Sequence, residues 1–434
     1  MFLNSSKCQI TGRNIDGHKL ANLHLGELKF SDVEGQPATV ILGSPLGPTH
    51  YVQDHVSNQQ QRLKIFLDRL AELHDHQVAL FLMRHSLGVA RITHLLRTVD
   101  PTLIELQLVS MESSLLTALT QIVGAPLTAS AWEQAGLAIN LGGLGISHPT
   151  RVAAAAYVAS SLSFLSKTST LCLPSPAGAV TEMLVNAIRV LNQQTSGTVH
   201  VTRDWMKSPL RAPEHLESHH FSQHWWSSIV SFHSRNRLVS SVSARDRLRL
   251  QHQLDPCSGG WLTPIPSVSL GLSFAPPEFQ ALLRWWLGLP QRQSPRESDT
   301  CPRCGDSMDP FGDDAVCCKL NNFYVRHNMV ADAVSRVLAG VGVHTDREVM
   351  VAGKERPADL LAHGMSSSTH VALDITVVHT LSHFDTGRNN SRVSDAEKEK
   401  HEHYDAVRTS AGLSFKAFGL STFLVVPGQM RTKS

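Results

Sequence analysis

The sequence predicts a multidomain, mostly α protein that closes on a small α/β domain. Three observations carry that expectation. Apolar residues recur at helical spacing from about position 59 to 192, four cysteines crowd between 301 and 318, and the chain beyond them reads αβββαβ. A length of 434 residues fits several domains, and 42% hydrophobic residues suffice for real cores. The net charge of +2 leaves no global basic field, so any grip on nucleic acid must come from local patches. The cysteines are Cys8, Cys172, Cys257, Cys301, Cys304, Cys317 and Cys318. An odd count with one tight cluster argues for a metal site in a reducing compartment and against a secreted disulfide scaffold. The N-terminus has no charged region followed by an apolar core, and the nearest long apolar run, 152–165, stops at Lys167. The expectation is a soluble intracellular chain with no membrane partner.

Residues 1–50 hold short strand-like pieces at Lys19–Phe30 and Ala38–Leu42, too few to close a core, which suggests a partner domain upstream. Residues 51–195 read as an all-α bundle. Gln59–Leu73 carries a stripe of Leu63, Phe66, Leu67, Leu70 and Leu73. Val78–Leu87 and Ala90–Thr98 continue in that style, Thr102–Val123 follows Pro101, and Pro149–Leu165 and Val180–Asn192 complete the set. The glycine-rich Asn140–Ile146 lacks the preceding strand and the Lys-Ser/Thr of a phosphate-binding loop, so it reads as a turn.

Residues 196–300 form a looser helical linker rich in proline and serine. Ser234–Leu254 reads as one amphipathic helix carrying Arg235, Arg237, Arg245, Arg247 and Arg249, with Trp225-Trp226 and Trp285-Trp286 flanking it. Arginines beside aromatics can track a phosphate backbone, and they equally describe a solvated helix face over core tryptophans.

Residues 301–320 are a metal knuckle. Cys301-x-x-Cys304 presents two thiolates to one ion, and Cys317-Cys318 returns after a loop, a spacing suited to structural Zn²⁺. Adjacent cysteines point in different directions, so one of Cys317 and Cys318, with Asp314 or His327, would complete the set.

Residues 321–434 are the α/β domain. Phe323–Ala339 is a helix, Arg347–Val351, Ala358–His363 and Val371–His379 are strands, Ser394–Ser410 is a charged helix, and Phe415–Val426 supplies one or two more strands. Asp359 opens one strand and Asp374 lies inside the next, with turn material from Gly364 to Thr369 between them. Carboxylates near the ends of adjacent strands can share one Mg²⁺, which is usually held by one or two carboxylates plus water and phosphate. Glu348 is a possible third carboxylate. His379, His383, His401 and His403 read as exposed or strand-end histidines.

With these residues on view, the chain resembles the C-terminal half of a non-LTR retrotransposon polyprotein, from the branch carrying a restriction-like endonuclease of the PD-(D/E)xK type. Leu3-Asn-Ser-Ser-Lys7-Cys8 resembles the palm motif just after that family's polymerase aspartates, and Leu42-Gly-Ser-Pro-Leu-Gly47 resembles its primer-grip hairpin. The helices at 59–123 resemble its thumb and extension. Cys301-Pro-Arg-Cys304 with Gly312-Asp-Asp-Ala-Val-Cys-Cys318 resembles its knuckle, with Asp314 where the family usually has histidine. Arg326-His327-Asn328, Arg356-Pro-Ala-Asp359, Asp374 and Lys400-x-x-x-Tyr404 resemble its nuclease signature.

The resemblance implies a partial palm hairpin, an all-α thumb and extension, a helical linker, a zinc knuckle and a restriction-endonuclease-like domain. It implies nicking of target DNA in the nucleus so that reverse transcription can be primed. DNA and the element's RNA are the implied partners, possibly with a separately encoded polymerase-containing chain. The polymerase aspartates precede Met1, so polymerase activity is not expected of this chain alone. The position two residues after Asp374 is Thr376, which supplies no cation, so the resemblance moves the lysine to the next helix. Lys400 is that lysine and Lys398 its rival. On this reading Asp359 and Asp374 hold Mg²⁺, Lys400 serves the attacking water, and Arg326 and His327 touch the DNA backbone, a role Arg245 and Arg249 share. The competing expectation is a non-catalytic nucleic-acid-binding remnant.

Overall fold

The computed structural model describes residues 9–10, 29–30, 32–33, 36–170, 178–196, 222–254, 258–291, 300–301, 303–313, 316, 318, 320, 323–348, 358–366, 369–379, 392–410 and 413–421. The chain divides into two units, one of residues 1–138, 143–238 and 265–280, the other of 139–142, 239–264 and 281–434. Helices dominate, and a small mixed sheet lies near the C-terminus. Among the described residues no helix is long and apolar enough to cross a membrane.

The first unit opens on short paired strands: β1 (Gln9–Ile10) with β2 (Lys29–Phe30), β3 (Asp32–Val33) with β4 (Gln36–Pro37), and β5 (Thr39–Ile41) with β6 (Ser44–Leu46). Leu42 and Gly43 turn the last pair with φ of +50° and +87°, as a two-residue hairpin of the primed type requires. Helix α1 (Thr49–Ala71) starts ten residues before the predicted Gln59, because Val52 and Val56 extend the buried stripe of Leu63, Leu67 and Leu70 back to Pro48.

Helices α2 (His76–Leu82) and α3 (Thr93–Thr98) follow, α2 capped by the Asp75 carboxylate accepting from the Gln77 and Val78 amides. Asp100 caps a separate 3₁₀ turn at Pro101–Leu103, so α4 runs Glu105–Val123 and stops at Gly124 with φ +68°. After α5 (Ala129–Ala135), helices α6 (Pro149–Thr170), α7 (Gly178–Gln194) and α8 (Gln223–Ser241) pack around Ala155, Val158, Leu162, Ile188, Leu191 and Trp226.

Between α5 and α6 the glycine-rich loop is a turn, as its sequence suggests. The amides of Gly143, Leu144, Gly145 and Ile146 donate inward to carbonyls of Ala135, Leu137 and Ala138, so they offer no phosphate cradle.

The arginine-rich stretch is two helices, where the sequence predicted one. α8 ends at Ser241 and α9 (Ala244–His252) restarts behind Ser243, whose hydroxyl accepts from the Asp246 amide at 3.1 Å. A serine favours this cap over continuing the helix because its side chain satisfies an amide that would otherwise lack a partner.

The second unit carries α9, the end of α10 (Pro276–Trp286), the cysteine knuckle and the sheet. The sheet order is β10 (Ser414–Ser421), β9 (Thr369–Val378), β8 (Leu360–Ser366), β7 (His344–Arg347); β10 and β9 are parallel and the other pairs antiparallel. One face buries Leu360, Ala362, Val371, Leu373 and Ile375 against Ala331, Val330 and Val334 of α11 (Phe323–Gly340). The other face carries Ala372 and Phe415, and α12 (Arg392–Ser410) lies over it, His401 stacking edge-on to Phe415. The period-2 alternation of β9 therefore fixes Asp374 on the α12 face, between neighbours that serve the α11 core. The predicted strand Arg347–Val351 lies earlier, at His344–Arg347; residues 349–351 fall outside the described residues.

Candidate functional site

Register brings the three predicted acids to one end of the sheet. Asp359 and Asp374 each lie one residue beyond the β8–β9 pair Leu360↔Leu373, and Glu348 and Asp359 each lie one residue beyond the β7–β8 pair Arg347↔Leu360. The Glu348 amide donates to the Asp359 carbonyl at 3.0 Å, which holds the second step in place. Glu348 is exposed and has φ +49°, a left-handed backbone that a residue with a side chain adopts at a cost of about 1 kcal/mol or more.

The Asp359 carboxylate caps the edge of β9 just past its last pair with β8. Its Oδ2 accepts from the Ile375 amide at 2.6 Å and lies 3.1 Å from His327 Nε2, which is also 3.1 Å from the Ile375 carbonyl. A ring nitrogen facing two acceptors must carry the proton, so His327 is the Nε2–H tautomer or the imidazolium. Sequence reasoning offered His327 as a zinc ligand or a DNA contact; the structure places its ring on Asp359. The signal that could have found this is helical position, since His327 lies in the first turns of α11 at the strand ends that Asp359 begins.

Asp374 is 6% exposed and its Oδ2 lies 2.9 Å from Lys400 Nζ. The two form an ion pair across the gap between β9 and α12. Lys398 is solvent-exposed and pairs with Glu402 at 3.6 Å on its own helix, so of the two lysines it is Lys400 that meets Asp374. Gly419 of β10 makes this approach possible. A Cβ there would meet Val393 Cγ1 at 2.6 Å and Glu397 Oε1 at 2.9 Å, and the Gly419 amide donates to Glu397 at 2.9 Å. Val393, Glu397 and Lys400 follow helical spacing, so seating the first two on the strand aims the third at Asp374. The Tyr404 side chain lies outside the described residues, as do Arg356 and the loop before Asp359.

The knuckle brings three thiols together. Cys318 Sγ lies 3.6 Å from Cys301 Sγ and 3.5 Å from Cys304 Sγ. A tetrahedral zinc with bonds of about 2.3 Å sets sulfurs about 3.8 Å apart, so the cluster fits such an ion. The amides of Cys304 and Arg303 hold the Cys301 thiol down to about 7, towards the thiolate a metal needs. Cys304 is held down by the Asp306 amide, yet desolvation and then hydrogen bonds with Cys301 and Cys318 push it up to about 12. The Cys301 carbonyl accepts from the Gly305 amide at 2.8 Å, and Gly305 has the positive φ that this tight turn demands. Cys317 and Asp314 lie outside the described residues.

The knuckle is fixed on its flanks by charge. Arg245 Nε donates to Asp313 Oδ2 at 2.6 Å while its guanidinium lies 4.0 Å over the Phe311 ring. His379, at the end of β9, is buried with Nε2 3.7 Å from Asp313 Oδ1, and burial pushes its pKa down to about 4. Arg326 donates to the Val316 carbonyl at 3.3 Å, which ties α11 to the knuckle one residue before His327.

Two of the arginines read as nucleic-acid contacts, Arg245 and Arg249, are engaged within the protein. Arg249 is 3% exposed, donates to Asp246 Oδ1 at 3.0 Å and to the Trp286 carbonyl, and is no more available to a phosphate than a core residue. Arg245 is committed to Asp313 and Phe311. Both face inward because α9 restarts at Ser243, which sets its phase independently of α8. Sequence reasoning missed Asp313, Phe311 and Trp286 as their partners, since each lies far along the chain.

No family model matches the chain, and no curated protein matches it.

Proposed function

We propose that the C-terminal unit is a Mg²⁺-dependent DNA endonuclease of the restriction-like type, derived from a non-LTR retrotransposon, that nicks target DNA in the nucleus to prime reverse transcription. The observation that carries this reading is the Asp374–Lys400 pair, 2.9 Å apart, in register beside Asp359. A buried acid paired with an amine, and a second acid on the neighbouring strand, are the working parts of metal-assisted phosphodiester hydrolysis.

The donor set suits Mg²⁺, which takes oxygen ligands and few carboxylates. Among the described residues the partners of the Asp359 carboxylate meet Oδ2, leaving Oδ1 as its donor to a cation. Asp374 is the second ligand and Glu348, whose amide bonds the Asp359 carbonyl, the candidate third carboxylate. Bound there, Mg²⁺ supplies the positive charge that polarises the scissile phosphate and acidifies an attacking water. His327 and the Ile375 amide hold Asp359 in one orientation. Lys400 orients that water and offsets negative charge building on the phosphate oxygens.

Supercoiled plasmid with Mg²⁺ provides the test. The chain is expected to convert it to open circles, and Asp374→Ala to leave it intact. Equal nicking by both proteins, or a gel shift by both without nicking, overturns the catalytic reading; the latter outcome identifies a binding remnant.

A further inference from the structure

At the opposite end of the same sheet three histidines stand in one row. His344 pairs with His363 across β7 and β8, and His370 lies beside His363, each one residue beyond the regular β8–β9 pair Ala362↔Val371. All three share the α12 face, because their neighbours Thr345, Ala362 and Val371 serve the other one. His344 stacks on His363 with ring centroids 5.7 Å apart, and His370 meets His363 edge-on at 4.7 Å. A register shift follows at once, between Ala362 and Ser366, with Gly364 at φ +76°, so the row sits where the hairpin departs from regular pairing.

The ring nitrogens converge. His363 Nδ1 and His370 Nδ1 are 3.0 Å apart, and His363 Nε2 lies 2.8 Å from Asp346 Oδ2. Asp346 also stands 3.3 Å from His344 Nε2 through its other oxygen. A carboxylate on Nε2 fixes the proton there, which turns the lone pair of His363 Nδ1 towards His370. Arg347, the nearest cation in sequence, is drawn to the other face by Asp332 and Asn328.

We infer that His363 and His370 form a second metal site, separate from the knuckle and from the acid row, that takes an imidazole-preferring divalent ion such as Zn²⁺. A carboxylate behind a ligating histidine is the usual outer partner of such sites, fixing tautomer and ring angle. Tetrahedral zinc with bonds of about 2.0–2.1 Å sets two nitrogens about 3.3–3.4 Å apart, a few tenths of an ångström wider than here and within the swing of the exposed His370 ring. His370 accommodates the ion by moving its proton from Nδ1 to Nε2, with no net change in charge. Mg²⁺ is excluded by its preference for oxygen, so the two ends of the sheet select different cations. The inference stands independently of the endonuclease reading.

Zinc content of the full chain, dialysed against micromolar free Zn²⁺ with excess Mg²⁺ and measured by mass spectrometry, tests it. Wild type is expected to hold one zinc more than His363→Ala or His370→Ala. Asp346→Asn is expected to weaken that same zinc by about tenfold or more. Cys318→Ser is expected to lose a different zinc while keeping this one. Circular dichroism and His370→Gln guard against loss of fold. Equal zinc in wild type and both histidine variants, or an extra zinc in wild type that survives in each of them as an adventitious ion only, overturns the inference.

Discussion

Lys400 Nζ stands 2.9 Å from Asp374 Oδ2, across the narrow gap between a charged helix and an inner strand of the sheet. Burying a carboxylate that deep is costly unless a cation compensates it, and Lys400 is such a cation. Lys400→Met is therefore expected to slow nicking about 100-fold or more, in line with removal of one preorganised electrostatic donor. Lys398→Met removes only an exposed pair and is expected to leave the rate within about twofold. Single-turnover nicking of labelled DNA by both variants checks the contrast. Equal rates would take Lys400 out of the chemistry.

Glu348 holds a left-handed backbone beside the acid row. Glu348→Gly is expected to stabilise the protein by up to about 1 kcal/mol, because glycine adopts this conformation without strain. The same change removes the third carboxylate and is expected to reduce nicking. Urea denaturation and plasmid nicking, run on one preparation, read the two effects. A variant that loses stability and keeps full activity would show that the strain serves neither purpose.

Arg249 and Asp246 form a pair inside the second unit, the arginine almost fully enclosed. Arg249→Gln removes the bond to the Trp286 carbonyl and one of the two cations on Asp246, Arg245 remaining 3.4 Å away, and is expected to cost about 1–3 kcal/mol of stability. The slope of DNA affinity against salt concentration is expected to stay unchanged, since this guanidinium neutralises no phosphate. A flattened slope with unaltered stability would restore the surface role suggested by its sequence context.

His148 in the first unit is buried in a stack on Trp132, with ring centroids 4.1 Å apart, and its pKa is pushed down to about 3, first by burial and then by Arg151. The folded pKa lies below the ordinary 6.5, so the unfolded chain binds the proton more readily. Stability therefore falls as pH drops through the interval from about 6.5 to about 3, and is fully present above it. Between pH 6.5 and about 5 this histidine contributes a loss of at most about 2 kcal/mol. His148→Phe, which keeps the stack, is expected to flatten that part of the urea-midpoint profile. A profile identical to wild type would assign the acid sensitivity to other groups.

Much of the second unit was legible from residue order. The alternation around Asp374 gave a strand and the charged run from Ser394 a helix, because each rests on local periodicity, whereas Gly364–Ser366, read as turn residues, belong to β8 and Thr369 to β9. The helix break at Ser241–Ser243 was missed. A serine cap competes with a continuing apolar stripe, and the stripe alone suggested one helix. Arginine-rich composition pointed outwards, whereas Arg245 and Arg249 point inwards to Asp313 and Trp286. Charge says nothing of direction until the partners are placed.

By itself the sequence determined the mostly helical character, the cysteine spacing that suits a metal, and the candidate acids with their lysine. Only tertiary structure decided between Lys400 and Lys398, set His327 on Asp359, and lined up His344, His363 and His370. The reason is physical. Spacing along the chain fixes which residues share a face of one element, but cross-strand register and the seating of a helix on Gly419 fix which of those faces meet.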